Sequence, residues 1–498
     1  MIDWGMDRRS FLGAASASAL TLLLPRRVAR GESTIATGRI GQHIRVSGRV
    51  VTGNRGLGRV AVSDGLSVVD TDPDGYFELF TTSDRSFVWA SLPSGYSIPR
   101  NPTGTAHFYR PLANARDGRL DIQFQLEPLR QSDENHAALL LADVQVQDDD
   151  EVRWFLEQTV PDVQALTTDL GVETVGLACG DIVYDRPNLY PGYESGVQSM
   201  AIPFFQVLGN HDMDQSAFTD ALSTETFKQH FGPTYYSFNR GAVHYVVLDD
   251  VFWAVVGYSG YLTQEQLTWL EADLSRVEPG STVVVTAHIP VLGSRHLRNN
   301  QSSPGPSISV TNRQALYELL EPFDAHILTG HTHENEHVFE AGTHEHVCGA
   351  VCGAWWSGPI SVDGSPSGYG VYELRGEEVT WRYKATGHSF DYQIRAYPRG
   401  SVPGAPDEIV ANIWDWDPEW SVVWYEGADR RGEMARRVGL DPLSVDLHTG
   451  PELPSRRTWV EPVPTGHLFF ARCSAEAKDL RIEATDRFGR RYSATVSE

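Results

Sequence analysis

The chain has little lysine, little cysteine and no internal apolar run that could span a bilayer. Only three of its 41 basic residues are lysines (Lys228, Lys384 and Lys478), against 65 acidic residues, giving a formal charge of −24 and a pI near 5.1. Nucleic-acid binders concentrate Lys and Arg to neutralise phosphates, so this balance excludes general nucleic-acid binding. The acidic excess is spread along the chain, as on a soluble acidic surface. Four cysteines in 498 residues form no disulfide framework. Cys348 and Cys352 lie close in sequence but lack CxxC spacing and a second pair, so buried free thiols are expected rather than a bridge or a zinc site. There is no internal repeat and no low-complexity tract.

Near the N-terminus, Asp7-Arg8-Arg9-Ser10-Phe11-Leu12 precedes a small-residue apolar run to Leu24 and a second basic patch at Arg26, Arg27 and Arg30. This resembles a twin-arginine export signal over residues 1–33, with cleavage near Gly31. It implies a periplasmic or extracellular protein with no transmembrane span once the signal is removed. The run is too short and too rich in Ala, Ser and Gly for a convincing anchor.

At this length a main domain with smaller modules is expected. Residues 36–128 show short alternating runs such as Ile44, Val46, Gly48 and Val50, separated by turn signals such as Asp72-Pro73-Asp74-Gly75; this predicts an all-β sandwich. From about 134 to 397, apolar strand candidates (Ala137 to Ala142, Thr174 to Cys179, Phe204 to Leu208, Val243 to Leu248, Val283 to Thr286, Ala325 to Leu328) alternate with helical stretches. Those stretches are Val152 to Leu170, with a break near Pro161, Gln264 to Val277, and Asn312 to Leu320, and together they predict a central α/β domain. Pro398 to Pro406 reads as a linker, and 404–498 as a second all-β domain in which Trp414, Trp416, Trp420 and Trp424 serve mainly as core.

Five polar clusters interrupt the central domain, each directly after a strand candidate: Asp143-Val144-Gln145, Gly180-Asp181, Gly209-Asn210-His211-Asp212, Ala287-His288 and Gly330-His331-Thr332-His333. In an open α/β sheet the strand ends project loops onto one edge, so these clusters can converge. Carboxylate, amide oxygen and imidazole are donors that divalent first-row metals accept. Gly180, Gly209 and Gly330 suit tight strand exits where a Cβ is unwelcome. Taken singly, each residue has a plainer reading as a turn, a helix cap or a core histidine.

The ordered set resembles the calcineurin-like metallophosphoesterases, through an Asp-x-Gln element, GD, GNHD, a lone His and GHxH, over residues of about 137 to 345. The Cys348-to-Trp356 segment and the two flanks are similar to a subgroup with N- and C-terminal β-sandwich modules. The resemblance implies a multidomain chain with an α-β-β-α sandwich-like core and two divalent ions of the Mn, Fe or Zn class. One ion would be held by Asp143, Gln145, Asp181 and His333, the other by Asp181, Asn210, His288 and His331. Gln145 stands where many members place a His, which makes the first site harder and favours manganese over zinc. His211 is the implied proton donor to the leaving oxygen, oriented by Asp212 or Asp185, and the ions would activate a water against a phosphate ester.

Tyr184, Trp355 and Trp356 are candidates for a substrate wall, with core packing an equal alternative. His244, His326, His337, His344 and His346 match no motif position and read as core or supporting groups. Arg186, Arg295 and Arg298, near the motif ends, could hold a dianion and so favour monoesters over diesters. A noncatalytic binder of glycan or envelope polymer is the rival from another class, and either flank could contact a cell-surface polymer.

Overall fold

The computed structural model describes residues 41–254 and 257–497. The segment expected to be an export signal, residues 1–33, lies outside the described residues. Among the described residues no helix is long and apolar enough to cross a membrane.

The centre of the molecule consists of two facing sheets. The first runs in the order Phe204–Val207, Glu173–Cys179, Asn135–Leu141, Gly368–Arg375, Glu378–Ala385, with the first three strands parallel. The second runs Tyr236–Arg240, Val243–Val247, Thr282–Thr286, Asp324–Thr329, Thr343–Val347, Glu336–Glu340, with its four inner strands parallel. Strand periodicity sets the layers. Ala138 and Leu140 enter the core shared with Val246, Val285 and Ile327, whereas Leu139 and Leu141 enter the core shared with Val163, Tyr190 and Val197 on the covering helices. Helices Val160–Leu170 and Tyr190–Met200 cover the first sheet, and Gln264–Leu274 and Arg313–Leu320 supply Trp269, Leu270 and Leu316 to the core around the second.

The break expected near Pro161 takes a milder form. The chain is helical from Asp149 to Leu170 through a π-turn at Phe155–Thr159, and Pro161 lies in the first turn of the following α-helix, where its missing N–H is tolerated.

The N-terminal part has two four-stranded sheets between His43 and Gln125. It docks on the core through isolated bridges, Leu92 to Phe238 and Thr105 to Phe204, and through the buried ion pair of Arg240 with Asp133 at 3.2 Å. The C-terminal part also has two four-stranded sheets, but its first strand, Arg395–Tyr397, precedes the expected linker. It carries an α-helix too, Pro442–Thr449, N-capped by Asp441, so the all-β expectation describes its strands and not this helix. Trp414 is fully buried and Trp424 nearly so, as core packing requires. All four cysteines are free and buried.

Candidate metal centre

All five sequence clusters meet at one end of the two central sheets. The loops leave the strands so abruptly that Asp143, Gln145, Asp181, His331 and His333 all adopt left-handed backbone, as do nearby Asp185, Trp355 and Trp356. Non-glycine residues hold such φ values only where the surroundings over-determine them, and they gather at functional sites. The glycines permit close approach. A Cβ on Gly180, itself at φ +76°, would lie 2.4 Å from the His288 ring, and one on Gly209 would lie 2.0 Å from the Asp181 amide nitrogen.

Four donors from four loops surround one point. His288 Nε2 stands 3.2 Å from Asn210 Oδ1, 3.3 Å from Asp181 Oδ1 and 3.2 Å from His331 Nδ1. Beside them His333 Nε2 faces Asp143 Oδ1 at 3.4 Å. Both of these atoms are fully buried and neither has a hydrogen-bond partner, an arrangement that is costly unless a cation lies between them.

In each of the three histidines the nitrogen turned away from the centre donates to a backbone carbonyl. His288 Nδ1–H donates to Cys179 (2.9 Å), His331 Nε2–H to Ser307 (2.9 Å) and His333 Nδ1–H to Gly353 (2.6 Å). This fixes the tautomers and leaves a lone pair of each ring pointing inward, as metal-bound histidines require. Burial opposes charge on His288, but the Asp181 carboxylate outweighs it and raises the imidazole to about 10, so the pocket favours positive charge at that point. The donor set therefore fits divalent ions, with Asp181 between the two groups. Gln145 is the odd member: its amide nitrogen donates to Asp181 Oδ2 at 2.7 Å, and a half-turn of the amide plane presents oxygen instead.

His211 lies at the rim. Its backbone N–H donates to Asp181 Oδ1 (2.8 Å), its Nδ1 bonds Asp185 Oδ1 (2.9 Å), and its ring stacks on Tyr184 at 4.1 Å between centroids. Burial works against its charge, but Asp181 and the bond to Asp185 prevail and raise its pKa above the ordinary value. Asp185 is thus the carboxylate that orients it. Asp212, the other candidate, faces the opposite way and accepts from the backbone N–H groups of Ile182, Val183 and Gly209, which pins the two loops together. Burial raises Asp212 to about 7.

The aromatic candidates divide. Tyr184 and Trp355 line the site, Trp355 stacking on His333 at 4.2 Å. Trp356, half-buried, packs against the helix-side core and donates its indole N–H to the Val144 carbonyl, which braces the first metal loop. Arg298 is held by Glu334 (3.1 Å) and Glu336, and Arg295 lies 3.8 Å from Glu334, so these cations are already matched; Arg186 is exposed. His244 is a satisfied core histidine bonded to Asn239 and Asp273.

Motif spacing did not reveal several contributors. Asp250 accepts from the His288 and Ile289 amides, and Tyr258 sets its ring edge-on to His331 at 6.0 Å. The C-terminal part also reaches the rim: Trp459 packs on Trp355 at 4.8 Å, and Arg457 bonds Glu151 while lying 5.8 Å from the Tyr184 ring. These depend on tertiary contact alone, and no local pattern could have signalled them.

Residues 138–335 match the Calcineurin-like phosphoesterase family, 44–129 its N-terminal domain model and 345–492 its C-terminal domain model. The chain belongs to the calcineurin-like phosphoesterases, in the arrangement that carries both extension domains. Among curated relatives, serine/threonine-protein phosphatase CPPED1 of Mus musculus is 26% identical over 218 residues, covering 41% of this chain and 65% of the relative. Its Homo sapiens counterpart is 25% identical over 216 residues, with the same coverage. The chain thus spans a little under two thirds of these relatives. Similar solved structures include a dimetal phosphatase from Danio rerio (14% identity, 50% of this chain, 96% of that chain, TM-score 0.38) and a purple acid phosphatase from yellow lupin (12%, 66%, 67%, 0.35).

Proposed function

We propose that the chain hydrolyses phosphoric monoesters at this centre, with two divalent ions held by Asp143, Gln145, Asp181 and His333 and by Asp181, Asn210, His288 and His331. The observation that carries the reading is the set of three inward lone pairs, each fixed by a carbonyl behind it and facing the carboxylates of Asp143 and Asp181. When bound, the ions supply a nucleophilic water and neutralise charge on the ester.

The remaining steps fall to the protein. Asp185 holds Nδ1 of His211, leaving Nε2 to deliver a proton to the departing alkoxide, and Tyr184 fixes the ring plane from one face. Tyr184 and Trp355 bound the space for the organic group. The monoester preference rests on the relatives, which are named as protein phosphatases, because two of the three arginines that could hold a dianion, Arg295 and Arg298, are paired with glutamates. Diester hydrolysis is the second outcome of the test. Export is proposed from residues 7–30 of the sequence, and contact of the flanks with a surface polymer is proposed on composition alone.

The test is hydrolysis of chromogenic phosphate monoesters and diesters by metal-reconstituted protein, alongside metal analysis. At least two bound ions with monoester turnover, both lost together when Asp181 is replaced by Ala, support the proposal. Diester turnover alone corrects the substrate class, and binding of glycan or envelope polymer without turnover of either ester favours the noncatalytic reading.

A further inference from the structure

A second concentration of histidine lies in the second sheet, away from the strand ends. His326 is on the Asp324–Thr329 strand, His344 and His346 are two apart on Thr343–Val347, and His337 is on Glu336–Glu340. The register places His326 opposite His344 and His337 opposite His346, so all four rings project from one face. Ring centroids are 3.9 Å apart for His344 and His346, 4.9 Å for His337 and His346, and 5.3 Å for His326 and His346.

One ring nitrogen from each of His326, His344 and His346 lies within 4.8 Å of the other two. His326 Nδ1 is 3.1 Å from His346 Nε2, and His337 Nδ1 is 3.0 Å from His344 Nε2. The outer nitrogen of His337 meets Asp415 Oδ1 at 3.2 Å, a carboxylate–imidazole pair of the kind that supports a ligand from behind. His346 Nδ1 is buried with no hydrogen-bond partner. A small pocket opens between His337, His346, Tyr372, Trp381 and Asp415.

Four imidazoles stacked in a core are a poor way to fill space. Each carries a donor and an acceptor, and the orphaned nitrogen of His346 bears an uncompensated desolvation cost. Burial, and then the neighbouring rings, push His346 well below its ordinary value, so the ring stays neutral with one nitrogen lone pair available. Arg487 lies over Trp381 and is matched by Asp417 at 2.7 Å, and Arg382 at the same pocket is matched by Glu373 at 2.8 Å.

We propose that His326, His344 and His346 form a second metal site, separate from the centre at the strand ends, which takes one borderline divalent ion of the zinc or copper class with His337 as the fourth or supporting group. Neutral imidazole without carboxylate or thiolate selects such ions over magnesium, calcium or manganese. The site is structural. It joins two adjacent strands of one sheet beneath Trp381 of the other, and through His337 and Asp415 it reaches the C-terminal part.

The experiment uses the full chain carrying Asp181→Ala and His333→Ala, stripped with chelator and titrated with zinc(II), with bound metal measured by mass spectrometry and the coordination shell by X-ray absorption. One equivalent of zinc with a nitrogen-dominated shell, weakened at least tenfold by adding His344→Gln and His346→Gln, is the expected result. No retained equivalent, or an equivalent unaffected by those changes, overturns the proposal. Should the four-fold variant not fold, reconstituted wild type decides the matter: three ions per chain support the site, and two overturn it.

Discussion

Two histidine-rich regions share one sheet, and they differ in what stands behind each ring. At the strand ends His288, His331 and His333 each give the outer N–H to a carbonyl, and His288 and His333 turn the other nitrogen toward a carboxylate. Toward the edge of the sheet the rings bond to one another, and of these four only His337 hydrogen-bonds a carboxylate. Carboxylates bring negative charge that holds hard, hydrolytic ions and leaves room for an anionic ester to be neutralised. A purely imidazole cage offers neutral donors alone, which suits a structural ion. The difference separates chemistry from bracing within a few residues of chain, since His344 and His346 lie about a dozen positions beyond His331 and His333.

The sharpest way to break the comparison is Asp181→Ala. Removing the carboxylate between the two donor groups is expected to lower ester hydrolysis by about a thousandfold or more, several kcal/mol of transition-state stabilisation, while the histidine cage keeps its zinc. Steady-state kinetics with metal analysis checks both halves. His211→Ala is expected to keep metal at the strand ends and slow turnover by roughly 10² to 10⁴ with a poor leaving group, and by less with a good one. Equal loss for both leaving groups would reject the proton-donor role.

A smaller effect is expected from Asp185→Asn, about ten- to a hundredfold in kcat, because the side chain still accepts the His211 Nδ1–H bond but carries no charge. The parallel change Asp212→Asn should act on stability rather than on the pH profile of kcat, since Asp212 holds loop amides and not the His211 ring; pH–rate profiles of the two variants separate the roles.

His136 provides a control that belongs to neither region. It is buried, bonded to the Asp133 carbonyl and the Tyr245 hydroxyl, and burial lowers it to about 4. The unfolded chain therefore binds the extra proton between about pH 6.5 and 4, so this residue makes the fold lose stability as pH falls through that window, by about 3 kcal/mol at most. His136→Gln should flatten that part of the stability curve in denaturant titrations at pH 4 to 7, and an unchanged slope would assign the acid sensitivity elsewhere.

The principal site was readable in the chain because each ligand group follows an apolar strand candidate, and an α/β sheet sends such positions to one edge. The seven metal candidates lie side by side at that edge. Choosing between Asp185 and Asp212 was beyond sequence, because both lie near His211 along the chain or across a loop and only side-chain direction separates them. The surroundings of Arg295 and Arg298 were illegible for a similar reason: proximity to motif ends says nothing about Glu334 and Glu336, which pair with them. Trp356 belongs with them, its indole turned inward to Val144.

By itself the amino-acid sequence determined the class of core, the order of the metal-binding loops and the chemical character of the donors, since these follow from local periodicity and residue type. Tertiary structure alone decided which carboxylate orients His211, how Trp459 and Arg457 come to the rim, and that four histidines outside every motif share one face. Those outcomes depend on strand order and register, which bring together residues whose separation in the chain carries no signal of contact.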